Sequence, residues 1–143
     1  HVRSRRQRQM CIETGPESTD EEGIVSHSLK VFKLIGSPDY HNTIESIQTS
    51  RKLYRRSYYP AGVLQQFLAI LCTGSLLQLD KQIQQPTLVV HGSRDRLLPP
   101  SHGKAVAKAI MGAKFELIDG MGHDIPPHFI PNLSELFAQH FKS

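Results

Sequence analysis

Two short apolar runs, each closing on a glycine turn, constrain this chain more than anything else in its 143 residues. They lie between Pro86 and Pro127. Thr87-Leu88-Val89-Val90 runs into His91-Gly92, and Phe115-Glu116-Leu117-Ile118 runs into Asp119-Gly120. Between them, Ser101 to Met111 has the apolar spacing of a helix of about three turns. Two strands joined by a helix predict a right-handed crossover with the strands parallel. Ligands of open parallel sheets bind beyond the carboxyl ends of the strands. At those ends the first turn delivers an acid, Asp95, and the second a histidine, His123.

Ahead of Gln84 the period is helical. Residues 1 to 17 carry no hydrophobic pattern and end in Gly15-Pro16, so they read as a loop or a frayed end. Ser18-Thr19-Asp20-Glu21-Glu22 then offers a capping hydroxyl with a glutamate three positions on. Ile24, Ser28, Val31, Phe32 and Ile35 recur at helical spacing until Gly36 and Pro38 stop them. A second helix fits Thr43 to about Tyr58, with Ile44, Ile47, Tyr54 and Tyr58 on one side and Arg51, Lys52, Arg55 and Arg56 mostly on the other. The third starts at Pro60, and Val63, Leu64, Phe67, Leu68, Ile70 and Leu71 make it apolar nearly all round. That pattern predicts burial on more than one side. A short helical or irregular piece covers Leu76 to Ile83, and Asn132 to Phe141 closes the chain as an amphipathic helix. The expected fold class is α/β, with a helical region over 1–84 and a strand-helix-strand-helix segment over 85–143. Two parallel strands cannot bury both faces and both edges, so the pair is expected to be the edge of a larger sheet.

Composition excludes several classes. No run approaches the roughly 18 apolar residues of a membrane-spanning helix. The longest apolar patch, Val63 to Leu77, is broken by Gln65, Gln66, Thr73, Gly74 and Ser75. The first ten residues hold four arginines with no apolar run behind them, unlike a secretory signal. Cys11 and Cys72 are too few for a disulfide framework and lack metal-ligand spacing with any histidine pair. A soluble, cytoplasmic protein with free thiols and neither cofactor nor metal is the expectation. The net charge of +4 gathers in Arg3, Arg5, Arg6 and Arg8, and again in Arg51, Lys52, Arg55 and Arg56. No aromatic residue is interleaved with the first cluster, and the second falls on a helix face, so nucleic-acid binding is disfavoured.

The chemistry rests on Asp95 and His123. A base working at neutral pH must be held in one tautomer, and a carboxylate accepting the Nδ1 proton does so while stabilising the imidazolium that forms. Taken singly, Asp95 could cap a turn and His123 could be an exposed loop histidine. Their paired placement beyond two neighbouring strands favours a site.

His91-Gly92-Ser93-Arg94-Asp95-Arg96-Leu97-Leu98-Pro99 resembles the acid-bearing segment of α/β-hydrolase-fold enzymes, a His-Gly-x-x-Asp-x-x-x-Pro pattern. Gly120-Met121-Gly122-His123-Asp124 is similar to their histidine loop. The helical region, including Tyr59-Pro60-Ala61-Gly62, is similar to the cap of esterase-like members related to polyketide methyl esterases and haloperoxidase-type hydrolases. The resemblance runs from about residue 20 to the end. It implies a helical cap followed by the last part of an α/β-hydrolase core, acting on a small ester-like substrate. One family feature is missing. Members carry a Gly-x-Ser-x-Gly nucleophile elbow ahead of the cap, and this sequence has none. Ser37, Ser75 and Ser93 each follow a glycine, but none has the second glycine or a preceding strand that would build the elbow, and Ser93 sits in the acid loop itself. The chain therefore reads as the carboxyl-terminal half of such a hydrolase, truncated or naturally short, inactive alone. A non-catalytic module that associates with itself or a partner through its exposed sheet edge is the alternative.

Secondary candidates are read more plainly. His91 is expected to pack beside the acid turn, and Asp124 to hydrogen-bond within its loop. Asp119 is a rival acid that would not easily face the base. His27, His41, His102, His128 and His140 share no spacing with a carboxylate, and Tyr40, Tyr54, Tyr58 and Tyr59 are expected in aromatic packing rather than in a pocket.

Overall fold

The structure, a computed structural model, describes residues 15–142. The arginine-rich arm and Cys11 lie outside them. The described residues form a mixed α/β arrangement of helices with one small parallel sheet. In chain order these are α1 (Glu21–Ile35), α2 (Thr43–Ser57), α3 (Pro60–Thr73), α4 (Leu77–Asp80), β1 (Leu88–Gly92), α5 (Pro100–Ala109), β2 (Lys114–Ile118), a 3-10 turn (Pro127–Phe129) and α6 (Ile130–His140).

Helix α1 begins where Asp20 accepts the Gly23 amide at 2.8 Å. The cap is thus the aspartate rather than the Ser18 or Thr19 hydroxyl, a correction with a simple cause. The charged oxygen is the stronger acceptor for the orphan amides of the first turn. Asn42 caps α2 in the same way, accepting from the Ile44 and Glu45 amides at 3.1 and 3.2 Å. The two helices pack together, and the acidic first turn of α1 meets the basic face of α2. Arg55 makes two contacts to Glu21, at 3.0 and 2.8 Å, and Arg51 reaches Glu22 at 2.6 Å. Part of the second basic cluster is therefore spent on ion pairs. Ile44, expected on the apolar side of α2, is exposed in the first turn of that helix.

Helix α3 departs most from expectation. None of its residues is buried, and Val63, Leu64, Phe67, Leu68, Ile70 and Leu71 are all exposed. The apolar pattern tells which faces seek cover, and no other element among the described residues packs closely on this one.

The strands pair in parallel with Leu88 against Lys114 and Gly92 against Ile118. The ladder continues past the strand ends, where the Ser93 amide donates to Ile118 O and the Arg94 amide to Met121 O, each at 2.9 Å. Helix α5 packs on both strands. A small core of Ile118, Met121, Phe129 and Leu133, with Val90 and Leu136 against it, joins the sheet end to α6. No helix of the described residues is long and apolar enough to cross a membrane.

Candidate functional site

Asp95 and His123 meet where the two strands end. His123 Nδ1 lies 2.8 Å from Asp95 Oδ2. The acid's other oxygen accepts the amides of Leu97 and Leu98 at 2.9 and 2.8 Å, so the turn after β1 folds around its own carboxylate. An ionised carboxylate only accepts hydrogen bonds, which places the ring proton of His123 on Nδ1 and the lone pair on Nε2. The Asp95 side chain is 6% exposed and that of His123 37%, so the orienting bond is shielded while the base faces outward. The ring lines an open cleft of about 260 Å³ together with Val90, His91, Leu98, Met121 and Ile125.

His91 packs beside the acid turn. Its Nε2 donates to Leu98 O at 2.9 Å and stands 3.5 Å from Asp95 Oδ2. A carbonyl only accepts, so this ring carries its proton on Nε2 and adds a second positive edge to the acid's surroundings. Asp119 does not face His123. It accepts from the Ser93 hydroxyl at 2.9 Å, and the same hydroxyl accepts the Gly120 amide at 2.9 Å.

The base loop is built for close approach. Gly120 takes φ +77°, a conformation that side-chain-bearing residues rarely adopt. Gly122 lies so near the backbone of Gly36 and Ser37 that a Cβ there would overlap them. Asp124 bonds outside its own loop. Its Oδ1 accepts from the Ser37 amide at 2.7 Å and from the Ser37 hydroxyl at 2.6 Å. Gly122 in turn donates its amide to the Ser37 hydroxyl at 2.8 Å. Read as part of a helix stop and weighed only as a nucleophile, Ser37 is not expected from the sequence to bind the base loop. No local pattern marks it, because its partners lie 85 and 87 positions away.

The tyrosines divide. Tyr54 and Tyr58 pair at 4.9 Å between ring centres, but Tyr59 is exposed. Tyr40 stacks on His128 at 4.1 Å and meets Phe129 edge-on at 4.8 Å, where it borders a small cleft shared with Asp124. Aromatic packing therefore describes Tyr40, Tyr54 and Tyr58, whereas Tyr59 lies on the surface beside the uncovered α3. Cys72, also on α3, is exposed and free. Among the described residues, no cluster of three or more His, Cys, Asp or Glu side chains is placed to hold a metal ion. No family model matches the chain.

Proposed function

We propose that Asp95 and His123 are the acid and base of a serine-type acyl hydrolase of the α/β-hydrolase kind, acting on a small ester-like substrate. The helices of the first part serve as its cap and β1 to α6 as the last segment of its core. A nucleophile then comes from polypeptide beyond the present sequence. The observation that carries the reading is the 2.8 Å Nδ1 to Oδ2 bond at the carboxyl ends of paired parallel strands, its acid anchored by two backbone amides. In the complete site, His123 Nε2 takes the proton of the serine hydroxyl as the oxygen attacks the ester carbonyl. The imidazolium then gives that proton to the departing alcohol; in the second half the neutral ring takes a proton from water as its oxygen attacks the acyl group, and returns it to the serine oxygen as the acyl–oxygen bond breaks and the acid leaves. Asp95 stays ionised throughout and holds the ring. A reducing cytosol is the location that goes with this reading, since it keeps an exposed thiol such as Cys72 reduced.

Hydrolysis of p-nitrophenyl butyrate tests this division of labour. The 143-residue chain alone is expected to show no turnover that depends on His123. Turnover abolished by His123→Ala would place a nucleophile within the chain and overturn the division. The coding sequence ahead of residue 1 tests the rest: an in-frame Gly-x-Ser-x-Gly supports the reading, and a stop codon directly ahead removes it.

A second reading, a non-catalytic module that associates with itself or a partner, is favoured by the uncovered apolar surface of α3 and by strands that each pair on one edge only among the described residues. It requires a dimer or larger species by light scattering. A monodisperse monomer counts against it.

A further inference from the structure

Two serines outside any Gly-x-Ser-x-Gly elbow grip the base loop. Ser93 and Ser37 each accept a glycine amide of that loop, Gly120 and Gly122, and each donates to an aspartate of it, Asp119 and Asp124. Ser93 belongs to the acid's own turn. Ser37 comes from the far end of α1, 87 positions from Asp124, and is fully buried at 0% exposure. The grip extends along the backbone, where the His123 amide donates to Ile35 O at 2.8 Å. Three consecutive residues, Gly122, His123 and Asp124, are thus bound by Ile35 and Ser37.

We propose that Ser37 and Asp124 are positioning residues for His123, forming a clasp that holds the imidazole against Asp95 only while the carboxyl end of α1 is seated on the base loop. The inference rests on the reading of His123 as a base. Neither side chain touches the ring, so their action runs through the backbone on either side of it. Helix α1 packs on α2, and this makes the helical pair and the base one mechanical unit. Drawing the pair away breaks the hydrogen bonds to Gly122, His123 and Asp124 together. The acid has no such dependence, because Leu97 and Leu98 hold it from within its own turn.

Ring-nitrogen correlation NMR of the full 143-residue chain, near pH 8, reads the clasp without using turnover. In the parent chain His123 is expected as the Nδ1-protonated tautomer, with a low-field proton shared with Asp95. Ser37→Ala strips partners from the Gly122 amide and from Asp124, so the low-field proton is expected to disappear and the tautomers to mix. Asp124→Ala is expected to do the same. Asp124→Asn keeps an accepting oxygen for both Ser37 donors and is expected to retain the parent spectrum. Leu136→Ala loosens the small core without removing a hydrogen bond of the clasp and is expected to retain it too. If Ser37→Ala does not fold by circular dichroism, the Asp124→Ala and Asp124→Asn pair carries the test.

The proposal is overturned if Ser37→Ala and Asp124→Ala keep the parent ring spectrum, if Asp124→Asn fares no better than Asp124→Ala, or if Leu136→Ala loses the spectrum equally. The two readings fail separately. A stop codon directly ahead of residue 1 would remove the hydrolase and leave these spectra untouched, while unchanged spectra would remove the clasp and leave the hydrolase standing.

Discussion

The tautomer of His123 is decided by what Asp95 does with its two oxygens. Oδ1 is committed to the Leu97 and Leu98 amides, so only Oδ2 faces the ring. In Asp95→Asn the side-chain oxygen is expected to stay with those amides, which turns the NH2 toward Nδ1. That nitrogen must then accept, and the ring proton moves to Nε2, leaving no base on the outward side. The expected result is a folded chain whose His123 ring-nitrogen spectrum shows the Nε2-protonated form. A spectrum still showing Nδ1 protonation would mean that Oδ1 does not hold its place. Gly122 is the other residue whose effect follows from space alone. A Cβ at this position would overlap Gly36 backbone atoms, which have no rotamer by which to yield. Gly122→Ala is expected to cost about 1–3 kcal/mol, as forced overpacking does, measured by urea unfolding. Much of this was legible in the sequence. Asp95 and His123 can be picked out from the turns that follow two short apolar runs, because strand ends in parallel sheets fix where side chains converge. Ser37 and the outward reach of Asp124 were not legible, since contacts between positions 87 apart leave no local pattern.

At the scale of elements, the α1–α2 pair shows which electrostatic contacts answer to pH. The Arg55 hydrogen bond holds the Glu21 carboxyl below its ordinary value of 4.5, with added attraction from Arg55 and Arg51. A carboxyl whose folded value is depressed stabilises the fold above its unfolded value and loses that contribution as pH falls through the folded one. The α1–α2 contact should accordingly weaken only below about pH 4.5, and Glu21→Gln should flatten this part of the acid limb when helical signal is followed by circular dichroism. Asp20, held down chiefly by the Gly23 amide, adds a term of the same sign at α1's amino end. Both groups are at the surface, so added salt should shrink the Glu21 effect more than the capping effect, which is a hydrogen bond to backbone. The existence of α1, α2, α5 and α6 could be read from apolar spacing and caps. The fate of α3 could not, because a sequence period reports a demand for burial and the supply comes from neighbours in three dimensions.

Across the whole molecule, the uncovered helix sets how uniformly the fold is held. Most helical stability in proteins comes from packing of an apolar face, and an isolated helix shorter than about 12–15 residues is marginal in water. Helix α3 has 14 residues, buries none of them and carries no side-chain cap at its amino end. It ends at Gly74, which takes φ +67° with open space around it. By contrast, β1 and β2 are joined by a full ladder with α5 packed on both, and the base loop is fixed by Ser37 and Ser93. Hydrogen exchange should therefore divide the chain. Amides of Leu64 to Cys72 are expected to exchange through local opening at least tenfold faster than those of Val89, His91 and Glu116, which bond across the ladder and open with the sheet. Concentration then separates two origins for any protection that α3 does show. Protection that rises with protein concentration means that the apolar surface is covered by a second copy, and a surface charge such as Leu68→Lys should abolish the rise. Slow exchange of α3 in a dilute monomer, matching the strands, would contradict a helix that stands uncovered.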